Sequence, residues 1–75
     1  MTPTFKTTDI DLMSGIYEQT GEIPHIVHLG GGLVEGRFSD PEAPEAARKF
    51  RNDNRLQNFI AAKKTVFRLV NRAKA

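Results

Sequence analysis

Ile23-Pro24-His25-Ile26-Val27-His28-Leu29-Gly30-Gly31-Gly32-Leu33-Val34-Glu35-Gly36-Arg37-Phe38 is the stretch on which the fold turns. Its two halves alternate at the period of a strand. Ile23, His25, Val27 and Leu29 fall on one face of the first half, and Val34, Gly36 and Phe38 alternate with Glu35 and Arg37 in the second. Three glycines lie between them and supply the positive φ values that a tight turn needs, so residues 23–38 are expected to form a β-hairpin. Pro24 has no N–H and is confined to a strand start or a sheet edge. A lone hairpin is marginal in water, so the flanking segments must cover one of its faces.

On the N-terminal side, Thr7 or Thr8 is read as a helix cap, with Asp11 three residues after Thr8 and Asp9 adding negative charge at the positive helix end. Ile10, Leu12, Met13, Ile16 and Tyr17 fall within an arc of about 160° at the helical period, and Gly21 ends the helix. Residues 1–6 form an extended or disordered lead-in with Phe5 tucked in, and the extended Phe5 segment is a candidate third strand. On the C-terminal side, Ser39 or Asp40 caps a second helix. Pro44 lacks the N–H for an early helical bond, so the regular turns are expected to begin near it and to run to about Arg51. Asn52-Asp53-Asn54 makes a turn. Arg55 to Ala73 follows as the longest helix, with Leu56, Phe59, Ile60, Ala62, Val66, Phe67, Leu69, Val70 and Ala73 over roughly half its circumference. Lys63 falls within that arc and is expected to snorkel. The fold class is therefore α+β: a two-stranded antiparallel hairpin packed against three helices, one small domain over residues 1–75, with the last helix as main donor to the core.

Seventy-five residues bury only about 60% of the unfolded surface, and domains of this size lean on disulfides, a metal or a partner. The chain has no cysteine, which removes disulfides and cysteine-type zinc sites. Tight helix packing or self-association remains. No apolar run approaches the roughly 20 residues of a membrane span, and the N-terminus lacks the basic-then-apolar pattern of a signal peptide. A cytoplasmic protein with no membrane partner is the expectation.

The charge is split end from end. Residues 1–47 hold two basic side chains, Lys6 and Arg37, against eight acids; residues 48–75 hold nine basic side chains against the single acid Asp53. The net +2 hides this polarity. Such a basic segment attracts nucleic acid or an acidic protein surface, or it neutralises its own acidic half.

Phe5-Lys6-Thr7-Thr8-Asp9-Ile10-Asp11-Leu12 closing on Gly21, then Gly36-Arg37-Phe38-Ser39-Asp40-Pro41-Glu42, Phe50-Arg51-Asn52 and Phe59-Ile60-Ala61-Ala62-Lys63 resemble a family of short uncharacterised bacterial and phage proteins known only as a domain of unknown function. The chain departs from that pattern at Met13-Ser14-Gly15-Ile16, where small and leucine-rich positions belong. The resemblance implies a compact α+β domain with the order helix, hairpin, helix, helix. It carries over no activity, ligand or catalytic residue.

No set of side chains spells out catalysis. His25 and His28, three apart on a strand, point to opposite faces and cannot share one metal. The three glycines lack the following helix, lysine and hydroxyl of a phosphate loop. Asp9/Asp11 and Glu42/Glu45 lie at helix starts, where they meet the macrodipole, and Ser14 and Ser39 have no histidine partner in sequence. The expectation is no enzyme, no cofactor and no metal. The basic C-terminal part is the one candidate site: a non-enzymatic binding protein that contacts nucleic acid or another polyanion. The helix before Asn52-Asp53-Asn54 and the helix after it would form a helix-turn-helix-like pair. Arg55, Gln57 and Asn58, following Asn54, would lie at the start of a recognition helix, and Arg48, Arg51, Lys64, Arg68 and Arg72 would contact phosphates. Phe50, Phe59 and Phe67 belong to the apolar arcs and are poorly placed to stack on bases. The alternative is a protein-interaction module or homodimer with no nucleic-acid role, in which the exposed hairpin edge or an acidic face meets a partner; the basic helix face is then a solvated surface whose charge is offset by Glu35, Glu42 and Glu45.

Overall fold

The computed structural model describes residues 2–74. The element order is β1 (Phe5–Thr7), α1 (Ile10–Thr20), β2 (His25–Gly30), β3 (Leu33–Phe38), α2 (Ala43–Asn52) and α3 (Asn54–Lys74). This is a small α+β fold, with three strands rather than two. The lead-in, of which Met1 lies outside the described residues, supplies the extra strand. Phe5, Lys6 and Thr7 pair antiparallel with Phe38, Arg37 and Gly36, giving the strand order β1-β3-β2. The backbone N–H of Thr4 extends the ladder to the Phe38 carbonyl at 2.8 Å. Pairing β1 with β3 makes β3 a central strand and buries Phe38 completely.

The hairpin turns where the glycines fall. Gly31 (φ 61°) and Gly32 (φ 78°) form a two-residue loop with both residues left-handed, the sense that matches strand twist and that glycine reaches without strain. A register irregularity between His28 and Gly30 precedes it. His25 pairs with Arg37 and His28 with Val34, so the two histidines project to opposite faces.

Helix α1 is capped by Asp9, not by Thr7 or Thr8. Asp9 Oδ1 accepts from the backbone N–H groups of Asp11 (2.9 Å) and Leu12 (3.2 Å), and Thr7 Oγ1 accepts from the Asp9 N–H one step earlier. A charged acceptor at the helix start outcompetes a hydroxyl. Gly21 ends the helix in the left-handed conformation, its N–H bonded to the Tyr17 carbonyl. At α2 the cap position is Glu42, without a side-chain bond. Asp40 instead holds the preceding turn, its Oδ1 accepting from the Glu42 N–H at 2.8 Å. Pro44 falls in the first turn, where a missing N–H costs nothing.

The core is Leu12, Met13 and Ile16 of α1, Phe38 of β3, and Ala43, Ala46, Ala47 and Phe50 of α2, with Phe5 and Ile60 packed at its edge. Ala43, Ala46, Ala47 and Phe50 recur at i, i+3, i+4, i+7, the core-facing stripe of a short helix. Gly15 lets the two helices close. A Cβ there would meet the Phe50 ring at 2.2 Å. Gln19 Nε2 ties α1 to α2 by donating to the Ala46 carbonyl at 3.1 Å.

Helix α3 is not the main core donor. None of its residues is buried, and only Ile60 reaches the core. The reason is geometric: α2 already covers the open side of α1, so α3 finds no second apolar face. It runs along the flank of α1, and Lys63 Nζ comes within 3.7 Å of Asp11 Oδ1.

Candidate nucleic-acid interface

The surface that carries charge is α3, and its placement follows from the joint with α2. Asp53, in extended conformation, is the single residue between the two helices. Its N–H donates to the Phe50 carbonyl (3.3 Å), closing α2, while its Oδ1 accepts from the Leu56 N–H (3.0 Å), opening α3. Gln57 Nε2 adds a bond to the same Phe50 carbonyl at 2.7 Å. The helix-turn-helix expected over Asn52-Asp53-Asn54 has a turn of about three or four residues. The joint here is shorter, and Gln57 is engaged in holding it rather than free to read a base edge.

The remaining expected site residues separate into two groups. On α2, Arg48 forms a two-pronged ion pair with Glu45, one arm at 2.9 Å, so its guanidinium is already matched. That pair holds the Glu45 carboxyl below its ordinary 4.5 and raises Arg48, in both cases chiefly through the hydrogen bond between them. Arg51 stacks over the Phe5 ring, 5.8 Å from its centroid, which ties α2 to β1. On α3, Arg55, Asn58, Lys64, Arg68 and Arg72 are all exposed. Lys64, Arg68 and Arg72 recur every fourth residue and form one ridge spanning about 12 Å along the axis.

The acids of the first half do not neutralise that ridge. Asp9 caps α1 and Asp40 holds a turn, while the second half's own acid, Asp53, caps α3. Glu35 pairs with Arg37 at 2.7 Å, Glu45 with Arg48, and Asp11 with Lys63. Glu42 makes no ion pair among the described residues. Apart from Glu42, each of these carboxylates is held by a backbone N–H or by a cation outside the ridge of Lys64, Arg68 and Arg72. Among the described residues, Arg55, Lys64, Arg68, Arg72 and Lys74 have no carboxylate partner within 4 Å.

Two features escaped the sequence reading. Phe59 (67% exposed) and Phe67 (61%) lie on the surface instead of inside an apolar arc against the core; nothing in their spacing marks them as exposed. The other is Glu22, directly after the Gly21 cap. Its carboxylate accepts from the Ser39 N–H (2.8 Å), the Ser39 hydroxyl (2.8 Å) and the Asp40 N–H (2.8 Å). These donors, the backbone ones foremost, hold its carboxyl below 4.5. Glu22 borders a cleft of about 640 Å³ shared with Pro24, His25, Arg37 and Ser39. Because the Ser39 hydroxyl donates its hydrogen bond to Glu22, the cleft is a clamp joining the end of α1 to the start of α2, with no serine–histidine relay.

Among the described residues no group of three His, Cys, Asp or Glu side chains is placed to hold a metal ion, and no helix is long and apolar enough to cross a membrane. Comparison with family models, with curated proteins and with solved structures finds no match for this chain.

Proposed function

We propose that this chain is a non-enzymatic binding protein that contacts nucleic acid, in a cytoplasmic bacterial or phage setting, through the exposed ridge of α3. One observation carries the reading. Helix α3 holds Arg55, Lys63, Lys64, Arg68, Arg72 and Lys74 with no acid, and of these only Lys63 has an ionic partner among the described residues. A row of hydrated cations without counter-charges is the arrangement that gains most by releasing counterions from a phosphate backbone. Contacts of this kind position the protein but carry no sequence choice. The expected behaviour is salt-sensitive binding with little preference among sequences. Exposed Phe67, which borders one groove with Lys64 and Arg68, gives α3 a ring face on which an unpaired base could stack, which favours single strands over duplex.

Retention on immobilised single-stranded DNA at low salt tests the proposal. Lys64→Glu combined with Arg68→Glu is expected to abolish retention while the helical far-UV signal stays unchanged. Lys64→Gln with Arg68→Gln is expected to flatten the slope of log affinity against log salt by about 1.4 on a single strand. Unchanged low-salt retention in the charge-reversed protein overturns the reading.

A further inference from the structure

We infer that this chain forms a homodimer in which two α3 helices pair antiparallel through the stripe Phe59, Ala62, Val66, Leu69 and Ala73. The stripe recurs at alternating steps of three and four, the a/d spacing of a helix-pairing seam. It lies uncovered: Phe59 is 67% exposed, Val66 58% and Leu69 55%.

The area argues for a partner of substantial size. The chain exposes 5716 Å², whereas a compact monomer of 8.4 kDa exposes about 4,600 Å². The surplus of about 1,100 Å² is somewhat more than the roughly 800 Å² that one side of a standard interface buries. The radius of gyration agrees, 14.2 Å against about 11 Å for a compact chain of this length. Helix α3 contributes to the excess: it spans about 31 Å and none of its residues is fully buried.

The charge pattern and the side-chain volumes argue that the partner is a second copy. Lys64, Arg68 and Arg72 are centred roughly 140° around the helix from the stripe. Pairing two stripes therefore leaves both basic ridges outside, and no cation row faces another. Antiparallel layers join Phe59 to Leu69 and Ala62 to Val66 of the other copy, so no layer holds two phenylalanines or two alanines. Parallel layers would stack Phe59 on Phe59 and Ala62 on Ala62, a swollen layer beside a hollow one, which packs poorly. Antiparallel pairing also opposes the helix dipoles and places the two bodies at opposite ends. The contact is isologous and closed.

The dimer does not rest on the nucleic-acid reading, and the experiments separate the two. Sedimentation equilibrium of the full chain over a range of concentrations is expected to approach twice 8.4 kDa. Val66→Asp is expected to weaken association on the order of a hundredfold while keeping the helical signal, whereas the Lys64→Glu, Arg68→Glu protein stays dimeric. The chain lacks cysteine, so single cysteines report the register directly. Phe59→Cys mixed with Leu69→Cys is expected to cross-link on oxidation. Either variant alone is not, because like positions lie about 15 Å apart along the axis, beyond disulfide reach. A mass that stays at 8.4 kDa at every concentration, or self-cross-linking of each single variant equal to that of the mixture, overturns the proposal.

Discussion

Helices α2 and α3 are one residue apart and meet the core in opposite ways. The first has 10 residues, mostly alanine and charge with a single phenylalanine, and it buries Ala43, Ala46, Ala47 and Phe50. The second has 21 residues and a far broader apolar arc, and it buries none. Burial is decided by the surface on offer, not by the width of the arc. Small side chains on α2 and the bare backbone at Gly15 allow close approach, which lets a short helix occupy the one free face of α1. Helix α3 arrives after that face is taken.

The sharpest way to break this contrast is to make the same truncation on both sides of it. Phe38→Ala removes a side chain with 0% exposure and is expected to cost about 3–5 kcal/mol. That is a large share of the roughly 4–11 kcal/mol that a domain of this length commands, so the variant should unfold at a much lower urea concentration. Phe67→Ala, on α3 and outside the pairing stripe, is expected to change stability by less than about 0.5 kcal/mol. Comparable losses for the two would mean that α3 is packed after all.

Gly15→Ala probes the approach of α1 and α2. Alanine gains about 1 kcal/mol of helix propensity over glycine at a free position, but its Cβ would lie 2.2 Å from the Phe50 ring. Overpacking of this kind costs about 1–3 kcal/mol, so a net loss is expected in the denaturation midpoint. A gain would show that Phe50 can swing aside, and that the helices do not depend on the bare backbone between them.

Period and punctuation made the elements legible in the sequence. The alternation of residues 25–38 around Gly31 and Gly32, the stop at Gly21, the displacement of the α2 start toward Pro44 and the long final helix all appear where local chemistry places them. The burial of α3 was not legible. Leu56, Phe59, Val66 and Val70 have the spacing of a core-facing helix, and no local rule says whether a face remains for them. The short β1 was legible only as a candidate for a related reason: three residues, Phe5-Lys6-Thr7, become a strand only because β3 offers an unpaired edge. The basic ridge of Lys64, Arg68 and Arg72 was readable as a spacing. Its lack of partners was not, since that depends on Glu35 turning to Arg37 and Glu45 to Arg48.

The smallest effect expected concerns how the α2 side of the molecule is anchored, something α3 lacks. Glu22 fixes the entry to α2 through Ser39 and Asp40, and those donors lower its carboxyl below 4.5. A carboxylate depressed by folding contributes stability above its unfolded value and loses that contribution as pH falls through its folded value. Glu22→Gln keeps the shape but removes the charge that the donors favour, and it replaces one of the two accepting oxygens by an NH2 that cannot accept. Thermal midpoints of the two proteins should therefore differ most at pH values well above 4.5 and converge as the solution is acidified below it. The exposed site keeps the difference modest, because water screens the charge. A gap that stays constant across the range would mean that Glu22 holds the joint by shape alone. In that case the anchoring of α2 would rest wholly on Ala43, Ala46, Ala47 and Phe50, the residues that α3 has no counterpart for.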